Sequence, residues 1–277
     1  MRLGTFGGLL LLIHGGVPLA AQPVARIDLD ISNRYVWHGL SRAAGLVLQP
    51  SVAAGYRLHR LVLAGGLVRH YELDRVSPGE LSQLAVGTED HVGEDDAWTQ
   101  AELELGSLRV RSGVTRYVFR AGPPRNTTEL FAAARVTTRY LNPSLETWWD
   151  VGRVRGGFVR ASASSPIFGW PFEPFVFVFL EGGVGLNLGQ SPDPARPADL
   201  ANFASRGPTH AALGLHAVNR LQHWSGVGSV SLSLGLNTQL NFDDATRYGG
   251  AGSRHNLIFW LSTGVTLLFG GEAKLLR

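Results

Sequence analysis

Residues 227–242 read VGSVSLSLGLNTQLNF. Ser229, Ser231, Ser233, Gly235, Asn237, Gln239 and Asn241 hold one parity, and Val230, Leu232, Leu234, Leu236 and Leu240 hold the other. A strand sends successive side chains to opposite faces, so this segment is polar on one side and apolar on the other along its whole length. Ordinary globular strands run about 5–6 residues, whereas a tilted strand crossing a bilayer needs ~9–11. Alternation sustained over that length is the mark of a membrane strand.

Working outward, the same test yields eleven more segments: 26–37, 46–58, 61–72, 97–105, 108–118, 128–138, 144–151, 157–165, 173–188, 209–220 and 255–269. In 26–37, Ile27, Leu29 and Ile31 oppose Arg26, Asp28, Asp30 and Ser32; in 209–220, Leu213 and Leu215 oppose His210, Gly214 and His216. Segment 173–188 is apolar on both faces, since Phe175, Phe177 and Phe179 share a parity with Glu173 and Glu181, so alternation alone does not assign its inward side. The connections alternate between tight turns, such as 59–60 and 106–107, and longer stretches at 39–45, 73–96, 189–208 and 243–254. Short turns on one rim and long loops on the other are the habit of outer-membrane barrels. The proline-bearing stretch 190–208 reads as a solvent loop.

Two turns can be tested for register. A two-residue hairpin at Gly106-Ser107 pairs Leu105 with Leu108, which sets Glu104 opposite Arg109 and Glu102 opposite Arg111 on one face and Leu103 opposite Val110 on the other. Around His59-Arg60, Leu58 meets Leu61, Tyr56 meets Leu63 and Gly55 meets Ala64.

Composition narrows the function classes. Of 277 residues only 17% are charged, against about 25% in soluble domains. Twenty-five Lys+Arg against 22 Asp+Glu leave a net charge of +3, with no basic face for nucleic acid. The chain has no Cys, which removes disulfides, thiolate nucleophiles and cysteine-ligated metals. Arg2, the apolar run at residues 9–13 and the small residues Ala20 and Ala21 have the order of a secretory signal peptide. The expected organisation is therefore a leader over 1–21 and one barrel domain over 22–277. No later apolar run reaches the ~20 residues of a spanning helix.

Inward parity collects Asp28, Asp30, Arg34, Arg57, Glu102, Glu104, Arg109, Arg111, Glu129, Arg135, Glu146, Asp150, Arg160 and Arg220, the candidate lumen-lining residues. Opposed acidic and basic strips would set up a transverse field suited to small polar or zwitterionic solutes. Mutual neutralisation is the simpler account for Glu102, Glu104, Arg109 and Arg111, whose partners stand directly across. His210 and His216 share the inward face but lie about 20 Å apart at ~3.3 Å per residue, too far for one ion. No zinc spacing is present, and neither a metal nor another cofactor is expected. His38 and Ser41 are the nearest candidates for a hydrolytic pair, yet spacing fixes no orienting acid beside them and no Gly-x-Ser-x-Gly elbow occurs, so catalysis is not expected. Tyr35, Trp37, Tyr56, Tyr71, Tyr117, Trp148, Trp149, Trp170, Trp224 and Trp260 gather toward strand ends, as an interfacial girdle would.

The stretches 32–41 (SNRYVWHGLS), 48–52 (LQPSV), 128–131 (TELF) and 142–150 (NPSLETWWD) resemble blocks of the TorF-like family of outer-membrane porins. His38 stands where that family carries arginine, and the chain does not end on an aromatic strand terminus. The resemblance implies a barrel and leaves the cargo open.

The expectation is an all-β protein, a single antiparallel transmembrane β-barrel of about twelve strands in a bacterial outer membrane, passing small polar solutes by passive diffusion. Its partners would be outer-membrane lipid and those solutes, with no nucleic acid and the oligomeric state open. The alternatives are an outer-membrane lipid hydrolase and a non-conducting surface barrel that binds partners through loops 73–96 and 189–208.

Overall fold

The computed structural model describes residues 21–43, 45–73, 94–119, 126–170, 175–196, 201–224, 228–248 and 256–270. The leader expected at 1–21, Ala21 apart, and most of loop 73–96 lie outside the described residues. Fourteen strands follow in order: β1 (Ala21–Ser32), β2 (Tyr35–Trp37), β3 (Leu40–Ala43), β4 (Val47–Leu58), β5 (Leu61–Glu72), β6 (Glu94–Leu105), β7 (Leu108–Phe119), β8 (Thr127–Val136), β9 (Asn142–Asp150), β10 (Gly156–Trp170), β11 (Phe175–Asn187), β12 (Gly207–Trp224), β13 (Gly228–Asn241) and β14 (Leu257–Phe269). Among the described residues one short helix, α1 (Asp244–Tyr248), precedes β14. Twelve of the strands form a closed antiparallel barrel, each paired with its sequence neighbours and β1 with both β4 and β14, while β2 and β3 make a separate two-stranded sheet.

The wrapping is inside out. Along β13, Leu232, Leu234 and Leu236 are 40%, 58% and 51% exposed, while Gly235 and Gln239 between and beyond them are buried. Ile27, Leu29, Leu213, Leu215, Phe259 and Leu261 join the same exposed belt around the cylinder. Every backbone group of a barrel wall is satisfied by a neighbouring strand, which is why this shape and the helix are the two that survive in hydrocarbon. No helix among the described residues is long and apolar enough to cross a membrane.

Both registers derived from the turns hold. Leu105 pairs with Leu108, Glu104 with Arg109 and Glu102 with Arg111. Leu58 pairs with Leu61, Tyr56 with Leu63 and Gly55 with Ala64. The turns at 59–60 and 106–107 share a rim with both ends of the described wall, because Ala21 lies opposite Leu58 and Ala25 opposite Phe269. This is the turn rim; the longer connections occupy the loop rim.

Three expectations need correction, and one open face is assigned. Segment 26–37 is not one strand: the wall strand ends at Ser32, and the chain re-enters the cylinder as the β2–β3 hairpin, so residues 39–43 of the expected loop 39–45 are part of an inward fold. Glu94, Asp95 and Asp96 belong to β6, because their pairing with His70, Arg69 and Val68 continues the wall beyond the expected start at 97. The stretch 190–208 is not a solvated loop throughout. Gln190 is fully buried and Phe203 is 2% exposed, and the Asp243 carboxylate holds this connection down by accepting the backbone N–H of Ala204 and Ser205. The same carboxylate accepts the Ala245 N–H and so caps α1. Finally, β11 is now assigned: Glu181 meets Arg160 at 2.6 Å and Phe179 stacks on His216, which turns the Phe177, Phe179 and Glu181 parity toward the lumen.

Asp150 ends β9 with no exposed surface. One oxygen accepts N–H groups from Gly152, Val154 and Arg155 at 2.9, 3.2 and 3.2 Å, and the other accepts the Thr127 hydroxyl at 2.6 Å. It therefore caps the 151–155 turn rather than lining water. Asp150→Ala strands these donors in a dry place and is expected to cost about 2–4 kcal/mol in urea unfolding from lipid vesicles.

Candidate functional site: a charged lumen beneath an inward hairpin

In the lumen, the candidate charges meet closely, and often diagonally rather than straight across. Arg26 reaches Asp28 at 2.7 Å, and Asp28 also accepts the hydroxyls of Ser51 and Thr266 at 2.9 and 2.7 Å. Arg57 lies 3.2 Å from Glu104, and Arg109 bridges Glu104 and Glu102 at 3.5 and 4.0 Å. Arg111, opposite Glu102 in register, makes its ion pair with Glu146 on β9 at 3.4 Å. Arg135 donates to Ser164 at 3.1 Å. Asp30 lies between Gln49 and Gly264, its carboxyl packed against Gly264, and Arg220 pairs in register with Ser231 on the same inward parity. The acids and bases thus interdigitate around the wall instead of facing one another as two strips.

Two cavities occupy this polar interior. The larger, about 270 Å³, is bounded by Arg26, Asp28, Gln100, Arg111, Trp98 and Trp148. The smaller, about 150 Å³, is bounded by Glu102, Arg109, Arg135, Glu146 and Glu181, and Arg111 borders both. Aromatic faces beside fixed charges suit a compact polar solute.

Toward the loop rim the lumen is filled. The β2–β3 hairpin turns at His38-Gly39, whose φ values of 48° and 84° give a tight turn with two left-handed residues, and Trp37 pairs with Leu40 across it. Glycine is required at the second position twice over: its backbone is left-handed, and a Cβ there would strike the His210 ring. The Gly39 carbonyl accepts from Gln239 at 2.6 Å. His38 Nε2 lies 3.2 Å from Glu129 Oε2, which also accepts the Tyr117 hydroxyl at 2.9 Å, while Gln190 donates to Oε1 at 3.4 Å. Glu129 and the His38 side chain are 0% and 8% exposed, so this contact is withdrawn from bulk water. Trp148 and Phe158 pack on the His38 ring, and Leu40 joins Phe158, Phe203 and Ala245 in one apolar cluster.

Some sequence-derived assignments change here. Arg34 is part of the hairpin root, not the wall, and donates to Ser41 at 2.7 Å. His38 and Ser41 are thus each engaged elsewhere, both inside the cylinder and away from the lipid face. Tyr35, Trp37, Tyr117 and Trp148 leave the expected girdle because they pack inside around the hairpin, whereas Trp149 and Tyr71 remain outward and exposed. Trp260 takes the inward parity opposite Asn237.

Several contributors escaped the sequence reading. Gln190 and Gln239 are single polar residues whose partners lie 61 and 200 positions away. Trp98 was hidden because its strand was placed by its carboxylates. His70, Glu94 and Asp96 come together in the wall under Tyr35, a convergence erased in sequence by the long connection between them.

No family model and no curated protein matches the chain. Among solved structures, LpxR from Salmonella typhimurium aligns with TM-score 0.50 at 10% identity, covering 88% of this chain and 99% of that one. The NanC porin gives 0.46 at 9% identity over 88% and 98%, and the KdgM porin in complex with disordered oligogalacturonate gives 0.42 at 6% over 89% and 98%. Identities this low speak for the fold alone. The exposed leucine belt and the closed strand order, with the likeness to the LpxR fold, make the described residues a twelve-stranded transmembrane β-barrel of the bacterial outer-membrane type.

Proposed function

We propose that the protein is a channel for small polar solutes whose outer mouth is shut by the β2–β3 hairpin. The observation that carries this reading is the pair of polar cavities sharing Arg111, lying below a hairpin that is inserted into the lumen rather than built into the wall. Interdigitated charges leave no dominant sign inside, which favours zwitterionic or neutral polar solutes over ions of one charge. The leucine belt takes the acyl chains of outer-membrane lipid. The resemblance to TorF-like porins points the same way. No enzymatic step belongs to this reading, in which His38 contacts Glu129 and Ser41 accepts from Arg34 to fasten the hairpin inside the barrel.

A second reading has its own support. Phe158, Phe203 and Gln190 fill the loop rim with no more than 2% exposure, a packing suited to a permanently closed barrel that presents its loops to a partner. Planar-bilayer recording separates the two. The wild-type protein is expected to open rarely, and a variant with residues 35–43 replaced by a short Gly-Ser linker is expected to conduct steadily. A shortened barrel that is folded but silent would replace the channel with the closed-barrel reading. Phospholipid hydrolysis that disappears in Ser41→Ala would replace both with an enzyme.

A further inference from the structure

We propose that His70, Glu94 and Asp96 form a binding site for one divalent first-row transition-metal ion of the zinc type, set in the barrel wall at the root of the hairpin. One ligand atom from each residue lies within 4.8 Å of the others. His70 and Glu94 face each other across the β5–β6 ladder, and Asp96 follows Glu94 on the same inward parity. The three groups therefore sit on adjacent rigid strands. His70 Nε2 and Asp96 Oδ2 are 3.1 Å apart, close to the ~3.4 Å edge of a tetrahedron with metal bonds of about 2.1 Å.

A second observation points to a missing ligand. Glu94 is only 2% exposed, yet its Oε2 has no hydrogen-bond partner, and Asp96 Oδ1 is likewise buried without one. Glu94 and Asp96 also contact each other, and two carboxylates crowded out of water, each with an unsatisfied oxygen, are costly unless a shared proton or a cation answers them. Arg42 supplies charge nearby, but its guanidinium lies over the Trp37 ring at 4.6 Å and its Nε also lacks a hydrogen-bond partner. A cation seated among the three side chains gives those oxygens a partner.

The donor set selects the metal. One imidazole nitrogen with two carboxylates suits zinc and its first-row neighbours, while calcium and magnesium prefer oxygen alone. Outer groups are in place as well. Gln49 contacts His70 Nδ1 at 2.6 Å, and rotation of its amide would present the oxygen as acceptor for the Nδ1 proton once Nε2 is bound to metal. Tyr35 of the hairpin stacks on the His70 ring at 4.4 Å, so the same imidazole touches the inserted element. Asp96, with 12% of its side chain exposed, offers the approach from the lumen.

The test uses the full refolded barrel in detergent, with heat-modifiable gel migration as the check of folding. Calorimetric titration with zinc, and metal counting after gel filtration, are expected to give one tightly held zinc per chain and no comparable binding of magnesium. His70→Ala and Glu94→Gln are expected to abolish stoichiometric binding, and Gln49→Leu to weaken it about 10–100-fold. His216→Ala, on the same inward parity but away from the cluster, is expected to bind as wild type does. A folded wild-type barrel that retains no zinc, or a folded His70→Ala/Glu94→Gln double variant that retains it undiminished, overturns the site. Neither result depends on whether the barrel conducts.

Discussion

Glu129→Ala is expected to release the hairpin and raise the open fraction of the barrel about 100-fold, reflecting ~3 kcal/mol lost from the closed state. The carboxylate is fully buried and serves His38, Tyr117 and Gln190 together. Truncation leaves all three donors without that acceptor, where no bulk water replaces it. Glu129→Gln keeps one acceptor oxygen and should fall between the two. The native chain has no Cys, so a single Leu40→Cys reporter can be labelled without background. Leu40 is 6% exposed, and a membrane-impermeant maleimide should modify the reporter slowly in the native background and about 100-fold faster beside Glu129→Ala, matching the conductance change. Equal labelling rates would mean that the clasp does not hold the hairpin.

Leu234→Arg is expected to cost about 2–4 kcal/mol of barrel stability, the price of a cation on the lipid face near the bilayer midplane. Leu234 lies midway along β13 and is 58% exposed on the outer surface. In a water-soluble protein an exposed leucine replaced by arginine changes stability little, usually within ±0.5 kcal/mol. Urea unfolding from lipid vesicles therefore distinguishes the two environments directly. Ser233→Ala, one residue away on the lumen side, should stay within about 1 kcal/mol because it loses at most the weak 3.4 Å bond to the Gly264 carbonyl. A small effect at Leu234 together with a large one at Ser233 would reverse the assigned faces.

The legible part of this structure is what local chemistry determines. Ser and Leu alternate through β13 because the wall has one wet and one oily side, and the Gly106-Ser107 turn sets the β6–β7 register because a two-residue turn leaves no slack. The parity of Glu102 through Arg111 and the Glu104–Arg109 pair followed from that turn, but the partner of Arg111 did not. Arg111 chooses Glu146 two strands away, reaching over the small Ala133 that stands between them in register. The hairpin was illegible for a related reason. Apolar residues at 27, 29 and 31 resume at 35 and 37 with only Asn33 between, and what turns the chain inward is distant: the His210 ring against Gly39, Gln239 on its carbonyl and Glu129 under His38. In β11 two apolar faces left the parity open until neighbours Arg160 and His216 decided it. His70 and Glu94, in turn, share no periodicity that a sequence reader could follow.

The first strand of the wall pairs with the last, and Asp28 accepts a hydrogen bond from Thr266, 238 positions later. That seam can be fastened only once the final residues of the chain exist. A copy ending before Leu257 would carry two raw edges, β1 and β13, each with a row of unsatisfied peptide groups that lipid cannot answer. Chains ending before β14 are therefore expected to expose an open sheet that aggregates or is degraded, rather than to close as a smaller barrel.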